Sequence, residues 1–327
     1  MPEPVLAVEN LRTYFKTARG IVKAVDGVDL KIDVGEVLAL LGESGCGKSV
    51  TSLSVMRLVD GNGAEIVGGR VQFMGRELLD LPLSEMRALR GARISIVFQE
   101  PRSSLNPVIC VGRQICEILI RHEGLSRRSA RDRAVNLLWE VGIADPERRF
   151  WAYPHELSGG MCQRVMIAIA IACNPALLIA DEPTTALDVT VQKQILALIR
   201  ELCRQRNTAV LLITHDLGVV AENADRVAVM YAGRVVEEGP VAALLAAPAH
   251  PYTRGLIDSM PDLDREADRL PSIPGSVPDL ANLPAGCAFA PRCTRADARC
   301  ATDVPTWATF GSTHRARCWK PLVEANA

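Results

Sequence analysis

The sequence predicts an α/β fold. It has a central parallel sheet, an antiparallel β subdomain near its start, a helical subdomain and a loop-rich C-terminal extension. Three observations predict it. Short continuous apolar runs alternate with longer helix-like stretches up to about residue 245, the pattern of buried parallel strands and crossover helices. The first forty residues instead show short alternating segments broken by Gly and Asp. After about residue 248, prolines and short loops take over.

LAVENLRTYF and VKAVDGVDLKIDVGE read as antiparallel strands flanking the main sheet. VLALLG (37–42), ISIVF (94–98), ALLIAD (176–181) and AVLLIT (209–214) read as buried strands. Between them, SVTSLSVMRLV and TVQKQILALIRELCRQ read as helices. Residues 105–165 form a mostly helical, basic insertion centred on RHEGLSRRSARDRAVNLLWEVG, and RVAVMYAGRVVEEG (226–239) is a hairpin turning at Ala232-Gly233. The division expected is 1–247 as one domain and 248–327 as a cysteine-containing extension.

The chain has 327 residues, a formal net charge of -1 and 48% hydrophobic residues. That length supports a large core. The charge balance lacks the basic excess of a nucleic-acid binder, so no such partner is expected. MPEPVLAVEN lacks the basic and apolar regions of a signal peptide. The longest apolar run, VMIAIAIAC, has nine residues, against about eighteen needed to span a membrane. A cytoplasmic location with reduced thiols follows.

GESGCGKS (42–49) follows a strand and precedes a helix. It fits G-x-x-x-x-G-K-[ST], the phosphate-binding loop. Gly42, Gly45 and Gly47 let the backbone N–H groups of a loop through Glu43, Ser44, Cys46 and Val50 turn toward phosphate oxygens. Lys48 would reach the β- and γ-phosphates and Ser49 would ligate Mg²⁺. ALLIADEP ends an apolar strand in two carboxylates. At that edge of an α/β sheet, where ligands bind, Asp181 would hold Mg²⁺ and Glu182 would act as general base. In ELSGGMCQR (156–164), Ser158, Gly159 and Gly160 open a long helical run. This makes a second anion-binding helix start, of the kind a symmetric dimer would use to close its partner's site.

LSGGM, with GESGCGKS before it and LLIADEP after it, resembles the nucleotide-binding subunit of an ABC transporter. The resemblance implies ATP and Mg²⁺ as ligands. It implies that Gln99 in VFQEP senses Mg²⁺ and the attacking water, that Asp188 in TALD (185–188) lies near a dimer interface, and that His215 in LLITHD contacts the γ-phosphate. Phe15, with Tyr14 as the alternative, stands where that family stacks an aromatic on adenine. Glu182, His215 and Gln99 are then the expected catalytic set, and Ser49, Gln99 and Asp181 the Mg²⁺ set.

VFQEPRSSLNP, YPHELSGGMCQR, HPYTRGL (250–256), IPGSVP (273–278) and GCAFAPRC (286–293) resemble the ATPase subunits of dipeptide and oligopeptide permeases. The resemblance implies a peptide importer subunit at the cytoplasmic face of the membrane. Its implied partners are a second ABC ATPase subunit in a heterodimer, two transmembrane permease subunits reached through EPRSSLNP, and an extracytoplasmic peptide-binding protein. Nickel or glutathione import, and a soluble non-transport ABC ATPase, are the alternatives.

Cys287, Cys293, Cys300 and Cys318 are spaced C-x5-C-x6-C-x17-C. Zinc sites usually contain a close C-x2–4-C pair, absent here. The resemblance implies a [4Fe–4S] cluster on these four. Zinc, with His314 as a substitute ligand, and free thiols are the alternatives. Cys46 is a small loop residue that would make the nucleotide site sensitive to thiol reagents.

Overall fold

The computed structural model describes residues 3–18, 20–59, 63–185, 187–260 and 272–324. In chain order, β1 (Leu6–Thr17) and β2 (Gly20–Ile32) precede β3 (Val37–Leu41). β4 (Ala64–Phe73) and β5 (Arg76–Glu77) follow, then β6 (Ile94–Val97), β7 (Leu177–Asp181) and β8 (Ala209–Thr214). β9 (Arg226–Tyr231), β10 (Arg234–Pro240), β11 (Trp307–Phe310) and β12 (His314–Arg317) complete the set. The described residues fall into two compact units, 1–5 with 32–36 and 80–212, and 6–31 with 37–79 and 213–327.

In the first unit β6 pairs in parallel with β7, and β8 continues the order. Every residue of β7 and β8 is buried, as expected for strands covered on both faces. The helix Gly159–Ile171 is apolar nearly all round, and Cys162, Val165, Met166, Ile167, Ala168, Ala170 and Ile171 are all buried. VMIAIAIAC is therefore a core helix of this unit. Among the described residues no helix is long and apolar enough to cross a membrane.

The helical insertion consists of Val111–Glu123, Arg127–Glu140 and Pro146–Arg149. Val111, Ile115 and Leu119 repeat every fourth residue to bury one stripe, and Ala130, Ala134, Leu137 and Leu138 do so on the next helix. Gly112 is glycine because a Cβ there would overlap the Phe150 ring.

In the second unit one sheet has the order β2-β1-β4-β5. β1 and β4 pair antiparallel with a bulge near Arg12. The strands β11-β12-β10-β9-β3, in that order, belong to another sheet. β3 and β9 are parallel, and β9 and β10 form the hairpin, with Ala232 and Gly233 both at positive φ. β12 adds antiparallel to β10, and β11 to β12.

Those last two strands correct the reading of the extension as loops alone. Gly311 at φ 69 makes the tight turn between them. The extension also contains helices Pro251–Asp258 and Ala298–Thr302. It contributes to the core of its unit. Tyr231 packs edge-on against Tyr252 and Phe289, and Tyr252 lies tilted against Phe289, with centroids 4.7 to 5.4 Å apart.

Candidate nucleotide and thiol sites

The phosphate loop leaves the buried strand β3 and enters the helix Lys48–Val55 through Gly47. Gly47 has φ 108, and a Cβ there would overlap the Ala24 carbonyl. A Cβ on Gly42 would likewise overlap the Met230 carbonyl. Both positions admit only glycine because other backbone approaches them closely. Gly45, at φ 79, faces open space. Its glycine serves the turn, and Ser44 beside it is exposed.

The Lys48 side chain is 5% exposed, and its Nζ donates to the Gly42 carbonyl at 2.8 Å and the Glu43 carbonyl at 3.1 Å. Its ammonium is thus held inside the loop, aimed where phosphate oxygens are bound in such loops. Ser49 and Val50 are half-buried in the first turn of the helix. The cradle fits a nucleotide phosphate and Mg²⁺: backbone that tolerates no side chain, one enclosed cation and a hydroxyl at a helix start. Cys46 is fully buried, and burial pushes its thiol up from its ordinary value. The expected sensitivity to thiol reagents is corrected on that ground, since the reactive species is the thiolate.

In the same unit, Tyr14 donates its hydroxyl to Asp26 at 2.7 Å, and Arg234 pairs with that carboxylate at 2.6 Å. Tyr14 is thereby engaged, while the adjacent Phe15 is half-buried on β1. His215 is exposed just after β8, and Asp216 behind it caps the helix Leu217–Asn223 through the Gly218 and Val219 amides.

In the first unit, β6 and β7 bring two predicted residues together. Gln99 Nε2 donates to Glu182 Oε2 at 3.0 Å, and Thr185 donates to the same oxygen at 3.1 Å. Glu182 has φ 45, a left-handed conformation that costs a non-glycine residue about 1–2 kcal/mol. Such outliers cluster at functional sites, and this one falls on the candidate general base. Asp181, one residue earlier, ends β7 and is 6% exposed. Ser158 caps the helix Gly159–Ile171, accepting from the Met161 amide at 3.3 Å. A Cβ on Gly160 would lie 3.0 Å from Val191, whereas Gly159 is less confined. Asp188 caps the helix Val189–Arg206 through the Val191 amide at 2.9 Å. Ala186, within TALD, lies outside the described residues.

The four C-terminal cysteines lie in one region. The Cys287 amide donates to the Cys300 carbonyl at 2.8 Å. Burial pushes the Cys318 thiol up to about 12, and the neighbouring thiols of Cys287, Cys293 and Cys300 push the same way. Cys287 is likewise raised by burial, against backbone N–H groups of Phe289 and Ala290 directed at its sulfur. Yet among the described residues no group of three or more His, Cys, Asp or Glu could hold a metal ion. Neither the expected [4Fe–4S] cluster nor the zinc alternative finds such a ligand group there. His314 is not a spare ligand either. Its Nε2 lies 2.7 Å from the buried Glu237 carboxylate.

Sequence reasoning missed Arg292, Tyr252 and Glu237. The Arg292 guanidinium meets the Glu43 carboxylate of the phosphate loop at 2.6 Å and 3.1 Å. Glu237, fully buried, accepts from the Ala249 amide at 2.6 Å, the His250 amide at 3.0 Å and His314. A charged residue in the middle of β10 was the only signal for it.

Residues 25–185 match the ABC transporter family and residues 236–300 match the oligopeptide/dipeptide transporter C-terminal region. The oligopeptide transport ATP-binding protein AppD of Bacillus subtilis is 53% identical over 96% of this chain and 96% of its own. The dimeric ATP-binding cassette MJ0796, solved bound to ADP and Pi, superposes with a TM-score of 0.65 at 29% identity, over 72% of this chain and 98% of that one. The cassette cbiO1 of Clostridium perfringens gives 0.63 at 29% identity, over 75% and 92%. With this much sequence shared over nearly its full length, the chain belongs to the ABC transporter ATP-binding family, as a member carrying the oligopeptide/dipeptide transporter C-terminal region.

Proposed function

We propose that this chain is the ATP-hydrolysing subunit that energises import of dipeptides or oligopeptides through an ABC transporter. Lys48 and the loop amides bind the β- and γ-phosphates of ATP, Ser49 and Asp181 hold Mg²⁺, and Glu182 polarises the attacking water. Phe15 stacks on adenine. The Ser158–Gly160 helix start and Asp188 serve the neighbouring subunit's nucleotide, and His215 contacts its own. The observation that carries this reading is the Gln99–Glu182 hydrogen bond at 3.0 Å beside Asp181. It sets a water-sensing amide against a candidate base at the carboxyl ends of two parallel strands. The match of residues 236–300 supports a peptide cargo.

As the ATPase of such an importer, the subunit acts from the cytoplasmic face of the membrane. Its partners are two permease subunits, a second ATPase subunit and an extracytoplasmic binding protein. The four cysteines are the proposed ligands of a [4Fe–4S] cluster, as the family resemblance implies. Their thiols lie near enough to one another to raise the Cys318 thiol together, and N–H groups directed at sulfur are how proteins tune cluster thiolates.

The test is reconstitution with the permease subunits and binding protein in lipid vesicles. Peptide-stimulated ATP hydrolysis with peptide accumulation is expected. Hydrolysis indifferent to peptide, binding protein and permease alike would refute it. Anaerobic purification with iron and sulfide assays tests the cluster separately.

A further inference from the structure

Glu43, second residue of the phosphate loop, is held at three points. Its carbonyl accepts from Lys48 Nζ at 3.1 Å. Its amide donates to the Tyr252 hydroxyl at 3.0 Å. Its carboxylate takes a two-pronged pair from Arg292 at 2.6 Å and 3.1 Å. Tyr252 and Arg292 both belong to the extension, 209 and 249 residues away in sequence.

Arg292 is a fixed point. Its side chain is 4% exposed. Its Nε donates to the Pro274 carbonyl at 2.9 Å, and its terminal nitrogens also reach the Ile273 carbonyl at 3.3 Å and the Tyr231 hydroxyl at 3.5 Å. The guanidinium lies over the Tyr231 and Phe289 rings at 5.8 Å and 5.9 Å. A planar fork so enclosed is matched to a carboxylate in a way lysine cannot reproduce. A phosphate loop has no evident use for a carboxylate, which repels the triphosphate it must cradle. Here that charge is neutralised, and the residue bearing it also steers Lys48.

We infer that Arg292 and Tyr252 are positioning residues of the nucleotide site, through which the C-terminal extension neutralises Glu43 and sets the phosphate loop's affinity for ATP. The inference rests on the phosphate-loop reading above. The extension is then a working part of the ATPase, and the segment carrying Cys293, next to Arg292, is tied directly to the loop that binds ATP.

The test is calorimetric titration of the full chain with a non-hydrolysable ATP analogue and Mg²⁺, alongside KM and kcat for ATP. Arg292→Ala exposes the Glu43 charge and should weaken binding about tenfold, the effect of one uncompensated charge near the phosphates. Adding Glu43→Gln removes that charge, so the double variant should return to within about threefold of the parent. Rescue by a second loss is not what a merely structural arginine would show. Tyr252→Phe keeps the ring packing and should raise KM about threefold with kcat unchanged, and it decides the matter if Arg292→Ala does not fold.

Parental affinity in both Arg292→Ala and Tyr252→Phe would overturn the inference, as would a double variant as weak as Arg292→Ala. Lys48→Ala serves as the control. If it binds the analogue as the parent does, the phosphate-loop reading itself has failed.

Discussion

Acidification should loosen the start of the extension through one residue, His250. Its ring is 1% exposed, and its Nδ1 accepts the Tyr252 amide at 3.0 Å, capping the helix Pro251–Asp258. Burial pushes its pKa down from 6.5 to about 4, with Glu237 pulling weakly the other way. The folded form therefore binds its proton only near pH 4, and the unfolded form near 6.5. Between those values the unfolded state holds more protons, so stability is fully present above pH 6.5 and lost as pH falls. At pH 5 the loss comes to about 2 kcal/mol. Protonation also removes the acceptor for the Tyr252 amide. His250→Asn keeps a capping acceptor and abolishes the titration. Amide exchange of Tyr252 and its neighbours, measured at pH 7 and pH 5 and corrected for intrinsic rates, should show the parent losing about 2 kcal/mol of protection that the variant keeps. Equal losses in both would refute the reasoning, because every other titrating group is common to them.

Three further perturbations address other parts of the molecule. Glu182→Gln should leave ATP binding intact while lowering kcat by about 10²–10⁴, the usual contribution of a general base; hydrolysis at the parental rate would show that Glu182 has no such role. Gly47→Ala should abolish tight ATP binding, since its φ of 108 and its contact with the Ala24 carbonyl leave a methyl group no place; an unchanged dissociation constant would contradict the loop geometry. Glu237→Ala strips the partner from two backbone amides and His314 at once. It should destabilise the extension by about 3–5 kcal/mol, as breaking a buried ionic hydrogen-bond group does, visible as rapid proteolysis after residue 248, and equal resistance would count against it.

How much of this was legible in the sequence follows from the range of each interaction. The phosphate loop was legible because its constraints are local: a strand, glycines where backbone crowds, a lysine and a hydroxyl at a helix start. The alternating burial of β1 and the continuous burial of β7 were legible for the same reason, since periodicity is written in neighbouring residues. Gln99 and Glu182 are 83 residues apart, and nothing near either one announces the other. Only the resemblance to a known family paired them. The β11–β12 hairpin was within reach, because WATF and HRAR flank a glycine turn. Surrounding prolines and cysteines hid it, and its partner strand β10 lies some 77 residues back.

The paired carboxylates of the second unit explain why its extension reads so poorly as a fold. Glu237, Glu238 and Glu43 are acidic residues in or beside strands, where sequence patterning predicts apolar ones. Each is answered by a residue of the extension: His314 on Glu237, Arg315 on Glu238 at 2.8 Å, Arg292 on Glu43. Burying Glu237 and Glu238 alone would be strongly unfavourable, and Glu43, 30% exposed, would bring an uncompensated charge to the phosphate loop, so the β9–β10 hairpin and the phosphate loop both depend on the extension. Beside the packing of Tyr252 and Phe289, a segment poor in apolar periodicity is held by ion pairs and hydrogen bonds whose other halves lie far back in the chain. Removing it would strip Glu237 and Glu43 of their side-chain partners and leave Glu238 with Arg226 alone. A truncation at residue 247 should therefore lose ordered nucleotide binding even though every nucleotide-binding motif remains in the chain.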